Sequence, residues 1–200
     1  MRKIKIFIIL IFLLIPCVLF ANDVDNLINK YSKIKTIQAN FLQKTLIKGF
    51  GEEYYSGKVY LIKGERLLWN YTSPYWQYYL FQNGVMEYYD SSLKQLMRQK
   101  INFENNVILQ LIMDLGSLKK NFNVSLLNED RLKLIPKNEI GIKYILLDFD
   151  NTFVKTMKSE DDAGNFTEIV FKDVLINKNI DESVFEIVVP LDTEVFDYTK

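Results

Sequence analysis

Histidine is missing from these 200 residues, cysteine occurs once, and 25 basic residues are matched by 25 acidic ones. Each shortage excludes something. Without an imidazole there is no Ser-His-Asp triad, no His-rich zinc site and no imidazole proton shuttle, so most hydrolase and metalloprotease chemistry loses its usual general base. Without a basic surplus the chain is a poor match for the phosphates of nucleic acid, and none is expected as a partner. Prolines number 4 and glycines 8, they form no linker, and no internal repeat is visible. One domain with one sizeable core is the economical reading. What is plentiful is apolar: 48% of the residues are hydrophobic and 14% aromatic.

The cancelling charges hide an asymmetry. Arg2, Lys3 and Lys5 precede a stretch from Ile6 to Phe20 that is apolar except for Pro16 and Cys17, and Ala21 closes it. A basic start, an apolar core of about fifteen residues and a small residue at the end form a cleaved secretory signal, too short for a membrane span of roughly twenty apolar residues. Residues 1–21 are read as that leader and 22–200 as the mature domain. The preceding Pro16 argues against lipid modification of Cys17, which calls for a small residue there. Loss of the leader leaves 22 basic against 25 acidic residues, a formal −3, and no thiol. An exported domain without disulfides must be held by its core alone.

Val24, Leu27, Ile28, Tyr31, Ile34 and Ile37 recur at helical spacing. The period then changes to two, with Ile37, Ala39, Phe41 and Gln43 on one parity of a strand. Short strands follow at 56–62, 66–72, 77–82, 85–90 and 94–99, separated by turn signals of which Asn83-Gly84 is the strongest. A second helix, capped by Asn105 or Asn106 and stopped by Gly116, carries Val107, Ile108, Leu111, Ile112 and Leu115, with Leu109 and Met113 widening its apolar face. A helix that apolar lies deep in a core or touches something greasy on a second side. Strands resume at 122–127, 131–136, 142–148, 153–158, 167–176 and 183–189. Ten or eleven strands with two or three helices predict a mainly β domain: one large, strongly curved antiparallel sheet with helices against one face.

Two acidic motifs invite catalytic readings. Asp148-Phe149-Asp150-Asn151-Thr152 looks like the nucleophile motif of haloacid-dehalogenase-type phosphatases, but that motif follows the first strand of a parallel α/β core, and here strands and hairpins follow it. The loop Glu160-Asp161-Asp162-Ala163-Gly164-Asn165 lacks the sixth-position glycine and terminal glutamate of an EF-hand. A solvated hairpin explains it. Neither catalysis, nor a metal, nor a cofactor is expected.

The remaining oddity is aromatic. Twelve Tyr, Trp and Phe residues fall between Tyr54 and Tyr89, often on both parities of one strand. A strand apolar on both faces needs a cover on both, or a ligand on one.

At this point the chain resembles the LolA family, periplasmic carriers of outer-membrane lipoproteins. The resemblance rests on the helix running into Ile34-Lys35-Thr36-Ile37-Gln38-Ala39-Asn40-Phe41, on Gly57-Lys58-Val59-Tyr60, Leu68-Trp69-Asn70-Tyr71, Pro74, Asn83-Gly84 and Tyr89-Asp90, and on Phe171-Lys172-Asp173-Val174, Asn177, Phe185 and Pro190. It spans nearly the whole mature chain and implies an incomplete, unclosed antiparallel β-barrel. A lid of short helices would cover its open side and enclose a cavity for acyl chains. The implied partners are acylated lipoproteins, an inner-membrane ABC-type releasing complex and an outer-membrane acceptor, either LolB-type or the membrane itself, with the carrier a monomer in the periplasm.

Three acyl chains hold about 45 methylenes at about 0.8 kcal/mol each, so passage through water would cost about 35 kcal/mol. Strand parity nominates Phe41, Val59, Leu61, Leu67, Trp69 and Tyr71, with Tyr78 and Leu80 on the next strand, as one apolar cavity wall. Ile108, Leu111, Ile112 and Leu115 would be the lid's underside. Where the family often has an arginine followed by proline, a residue that hydrogen-bonds lid carbonyls, this chain has Lys63-Gly64. Lysine keeps the charge and loses the planar fork of donors, so Lys63 is expected to play a weaker version of that role. The alternative is a periplasmic chaperone or sensor on the same curved sheet, binding lipid or polypeptide without delivering it.

Overall fold

The computed structural model describes residues 16–103, 106–150 and 153–199, with side chains from Val24 onward. The basic start of the leader and its apolar run through residue 15, together with Asn105 and the Asn151-Thr152 pair, lie outside the described residues. Among these residues no helix is long and apolar enough to cross a membrane.

The strands are β1 (Thr36–Ile47), β2 (Gly51–Ile62), β3 (Arg66–Ser73), β4 (Gln77–Gln82), β5 (Val85–Asp90), β6 (Gln95–Lys100), β7 (Phe122–Asn128), β8 (Arg131–Pro136), β9 (Ile142–Phe149), β10 (Val154–Asp161), β11 (Phe166–Ile176) and β12 (Glu194–Tyr198). They form a single sheet in the order β12-β6-β5-β4-β3-β2-β1-β11-β10-β9-β8-β7, antiparallel throughout except that β12 runs parallel to β6. Its two ends, β12 and β7, do not pair with each other, so the barrel is unclosed. Helix α1 (Pro16–Ser32) precedes β1, and α2 (Val107–Met113) and α3 (Leu118–Asn121) lie between β6 and β7.

The hairpins form where the turn chemistry demands. Asn83 and Gly84 both adopt positive φ, 53° and 72°, as a two-residue hairpin loop with the sheet's own twist requires. Gly57 answers a different constraint. A Cβ there would sit 2.0 Å from the Asn70 carbonyl oxygen and 2.9 Å from the Phe41 ring, so only glycine lets β2 and β3 pair beneath that ring.

One expected strand is absent and one strand was unexpected. The residues of 183–189 do not pair in the sheet; Glu182–Phe185 is a 3-10 turn, and the segment crosses the outer face, seating Ile180 and Phe185 against Leu68, Tyr78, Leu80, Tyr89 and Leu96. Its period-two pattern records one buried side, which a strap laid over a sheet needs as much as a strand does. Strand β12 is mostly exposed and has no alternation to betray it.

The sheet therefore has two apolar faces. The outer cluster just described lies under the strap. The inner, larger cluster takes Phe41, Val59, Leu61, Leu67, Trp69 and Phe81 from one half of the sheet and Leu132, Leu134, Ile145, Leu147 and Ile169 from the other. Val24, Ile28 and Tyr31 of α1 and Leu109, Leu111 and Met113 of α2 pack against it.

Candidate functional site

Between the inner face and the helices lies an apolar cavity of about 70 Å³. Val59, Leu61 and Trp69 of β2 and β3 form one wall, and Leu147, Val154, Met157 and Phe171 of β9 to β11 the other. Leu111, Ile112 and Leu115 close it from the helical side. Among the described residues every lining side chain is aliphatic, thioether or aromatic, and Trp69 alone carries a side-chain N–H or O–H.

The wall is built by register. Trp69 stands opposite Val59, and Leu67 opposite Leu61, while Phe41 faces Phe171 across β1 and β11. Phe41 packs its ring against Trp69 at 4.9 Å and edge-on to Tyr71 at 5.1 Å, and Trp69 meets Phe171 at 5.9 Å. Burial, and the neighbouring Tyr79, hold the Tyr71 phenol well above its ordinary range, and its hydroxyl donates to Gln43 Oε1 at 3.1 Å. At the rim a hydrogen bond to Glu53, then burial, push Tyr55 up to about 12. These phenols stay neutral at any physiological pH, so the wall they border carries no charge from them.

The lid is held by polar contacts at its ends. Asn106 Oδ1 accepts from the Leu109 amide at 2.8 Å and caps α2, whose short length makes that cap a large part of its definition. Asp114 Oδ1 accepts from the Gly116 amide at 3.1 Å and starts the 3-10 turn Leu115–Ser117. Lys63 joins this lid to the rest of the molecule. Its Nζ lies 3.4 Å from Asp114 Oδ1 and donates to the Ser32 carbonyl at the end of α1 at 3.0 Å, while its amide donates to the Lys35 carbonyl at 2.8 Å. Lys119 pairs with Asp25 of α1 as a second tie.

Of the residues nominated from parity, Val59, Leu61, Trp69, Leu111, Ile112 and Leu115 line the cavity. Phe41, Leu67 and Tyr71 belong to the same inner cluster and back the wall. Ile108 sits one turn away, over a neighbouring groove with Ile101 and Ile140. Tyr78 and Leu80 are corrected: they face outward, under the strap. Trp69 pairs with Tyr79 and Leu67 with Phe81, so the inward parity of β4 is Tyr79 and Phe81. With both faces of β4 apolar, alternation alone carried no information about which is which.

The far wall was missed. Leu147, Val154, Met157 and Phe171 come from β9 to β11 and Phe153 directly precedes β10, far along the chain from the near wall, and only the pairing of Phe41 with Phe171 could have pointed there. The acidic motifs have structural partners. Asp148 pairs with Arg131, Asp150 Oδ1 accepts from the Phe153 amide at 3.0 Å, and the Asp150 carbonyl accepts from Tyr31 at 3.3 Å. Asp161 accepts from the amide and the side chain of Asn165 at 2.8 and 2.7 Å, closing a hairpin.

The family model and the curated relatives agree with each other. Residues 32–188 match the family model described as outer membrane lipoprotein carrier protein LolA. An outer-membrane lipoprotein carrier protein of Francisella philomiragia subsp. philomiragia is 31% identical over 208 residues, covering 100% of both chains. One from Methylococcus capsulatus is 26% identical over 170 residues, 82% of each. Among solved structures, an uncharacterized conserved protein from Thermus thermophilus shares the fold at a TM-score of 0.55 and 13% identity, covering 88% of this chain and 98% of its own.

Proposed function

Because the chain belongs to the LolA family of outer membrane lipoprotein carriers, we propose that it is a non-catalytic periplasmic carrier that shelters the acyl chains of lipoproteins between the inner membrane and the outer membrane. Residues 1–21 direct export and are removed, and 22–200 do the carrying. Cargo enters from an inner-membrane ABC-type releasing complex and leaves to an outer-membrane acceptor. The observation that carries this reading is the cavity between the inner sheet face and the lid, lined by apolar side chains from both halves of the sheet.

Its size indicates how the carrier works. A water molecule takes about 30 Å³ of liquid, and some 45 methylenes of comparable size need on the order of 1,000 Å³. Even all the empty space in and around the cavity, about 560 Å³, falls short of that, which fits a closed form. Leu111, Ile112 and Leu115 occupy much of the space that chains would fill, so loading swings the lid away and replaces its apolar contacts with those of the cargo. The work of opening subtracts from net affinity, and this keeps the cargo releasable to a stronger acceptor. Lys63, gripping Asp114 and the Ser32 carbonyl, favours the closed form and thereby assists unloading.

Native mass spectrometry of the protein from periplasm tests the proposal. A co-purifying triacylated lipoprotein is expected. A bare protein that also takes no lipoprotein from inner membranes would defeat it.

A further inference from the structure

Phe50 is the most exposed aromatic side chain among the described residues, at 91%. It lies in the turn that joins β1 to β2, where Gly49 and Gly51 flank it at φ of 85° and 107° and its amide donates to the Ile47 carbonyl at 3.0 Å. This turn is braced. The Lys48 amide donates to Asn165 Oδ1 at 3.0 Å in the hairpin between β10 and β11, whose loop Asp161 closes, and the Thr45 and Thr167 hydroxyls meet at 3.2 Å just behind. Two hairpin tips are thus tied together by polar groups, while the large apolar side chain between them is left without cover.

The surroundings of Phe50 indicate what would cover it. Directly behind the turn, Leu46 and Phe166 are register partners on the outer face and stay 41% and 45% exposed. Around them Lys44 pairs with Glu52 at 2.6 Å, Lys143 with Glu160 at 2.7 Å and Lys158 with Glu168 at 2.8 Å. Aromatic and aliphatic groups set among long lysines are the composition that suits the boundary between lipid headgroups and acyl chains. Area argues against a protein there. A phenylalanine buries about 150–250 Å² and its half-exposed neighbours less, whereas a stable protein interface takes about 800 Å² from each partner. A lipid surface is soft and needs no matching pocket. Because these lysines are already paired and the adjoining loop adds Asp161 and Asp162, the surface that fits is neutral, not anionic.

The position of the tip links it to the cavity. Ile37 and Leu61, register partners at the other end of the same hairpin, line the cavity beneath the lid. The strand from Ile37 to Ile47 spans on the order of 30 Å. One pair of strands therefore carries acyl wall at one end and Phe50 at the other.

We infer that Phe50, backed by Leu46 and Phe166, docks the end of the sheet opposite the lid on a neutral phospholipid surface by inserting its ring among the headgroups. Burying one such ring strengthens binding about tenfold to a hundredfold, enough for a brief stay and too little for a permanent anchor. The inference rests on the carrier reading for why the protein meets a lipid surface, and it places a second contact with lipid outside the cavity.

The test uses residues 22–200 and vesicles of phosphatidylcholine and phosphatidylethanolamine that contain no lipoprotein. The wild type should co-sediment with them equally at low and high salt, and Phe50→Ser should lower the partition constant about tenfold. Phe50→Trp should retain binding and gain emission that lipids brominated on their acyl chains quench, beyond any quenching of Trp69 and Trp76 in the wild type. Loading of a triacylated lipopeptide from detergent solution, with no bilayer present, should be the same for Phe50→Ser and the wild type. Absent co-sedimentation, co-sedimentation that ignores Phe50 or is abolished by salt, or Phe50-dependent self-association without vesicles overturns the docking. In each of these cases, normal loading from detergent leaves the carrier reading standing. Failure of the wild type to load, with vesicle binding still dependent on Phe50, removes the carrier reading and leaves the docking.

Discussion

Both faces of the sheet carry large aromatic side chains, but they are covered by different means. On the outer face the chain supplies its own cover: residues 177–190 lay Ile180 and Phe185 over Leu68, Tyr78, Leu80, Tyr89 and Leu96, with Tyr89 against Trp76 at 4.8 Å and against Tyr78 at 5.7 Å. The strap is fixed by groups on β1 and by the residue just before it. Thr36 Oγ1 donates to the Lys178 carbonyl at 2.6 Å and Gln38 to the Asn179 carbonyl at 3.0 Å, while Asn177 Oδ1 accepts the Lys35 amide at 2.7 Å. Arg66 adds its guanidinium over the Phe185 ring at 5.6 Å. On the inner face the cover is three short helical pieces tied by ion pairs, and a cavity remains beneath them. An apolar face filled by the chain's own residues gives stability; one left partly unfilled can give function.

The contrast can be broken first on the outer face. Phe185→Ala should cost about 3–5 kcal/mol of unfolding free energy, read from chemical denaturation, with lipopeptide binding per folded molecule unchanged. Loss of binding in step with stability would mean that the two faces are coupled. Gly57→Ala, which pushes a Cβ toward the Asn70 carbonyl and the Phe41 ring, should cost about 1–3 kcal/mol and distort the wall, so that both denaturation and loading respond. Val154→Phe sharpens the comparison from the other side. The added ring enters the cavity, so stability should move by only about 1 kcal/mol while lipopeptide affinity falls; unchanged affinity would place the chains elsewhere. The smallest thermodynamic effect belongs to Lys63→Leu. With the side chains of Lys63 and Asp114 29% and 38% exposed, solvent screens the pair and less than about 1 kcal/mol is expected. The consequence should appear in transfer, with uptake from donor membranes eased and release to acceptor liposomes slowed. If both are unchanged, Lys63 has no part in the lid.

Much of this contrast was legible in the sequence, but unevenly. Strands β4, β5 and β8 have the boundaries expected from their turn residues, because Asn83-Gly84 and its neighbours fix the local backbone whatever the tertiary packing. The lid helix was legible through the excess width of its apolar face, and Val59, Leu61 and Trp69 through simple alternation. Alternation failed at Tyr78 and Leu80 because both faces of β4 are apolar, and at 183–189 because a strap can bury one side without joining a ladder. The far wall was illegible for another reason. Phe153, Val154 and Met157 reach the cavity only through a strand order set by long-range pairing, which no local window reports.

An unclosed sheet also has a social cost. Its two terminal strands present free backbone groups that could recruit strands from other molecules, a hazard that a closed barrel does not face. At one end β12 has only five residues, and Glu194 and Asp197 put charge on it. At the other, β7 lies beside α1, and a register irregularity between Leu126 and Asn128 spoils its regularity as a template. The sheet stays unclosed with its edges blunted instead of joined, and either edge, once made longer, flatter or less charged, becomes the place where these molecules would begin to polymerise.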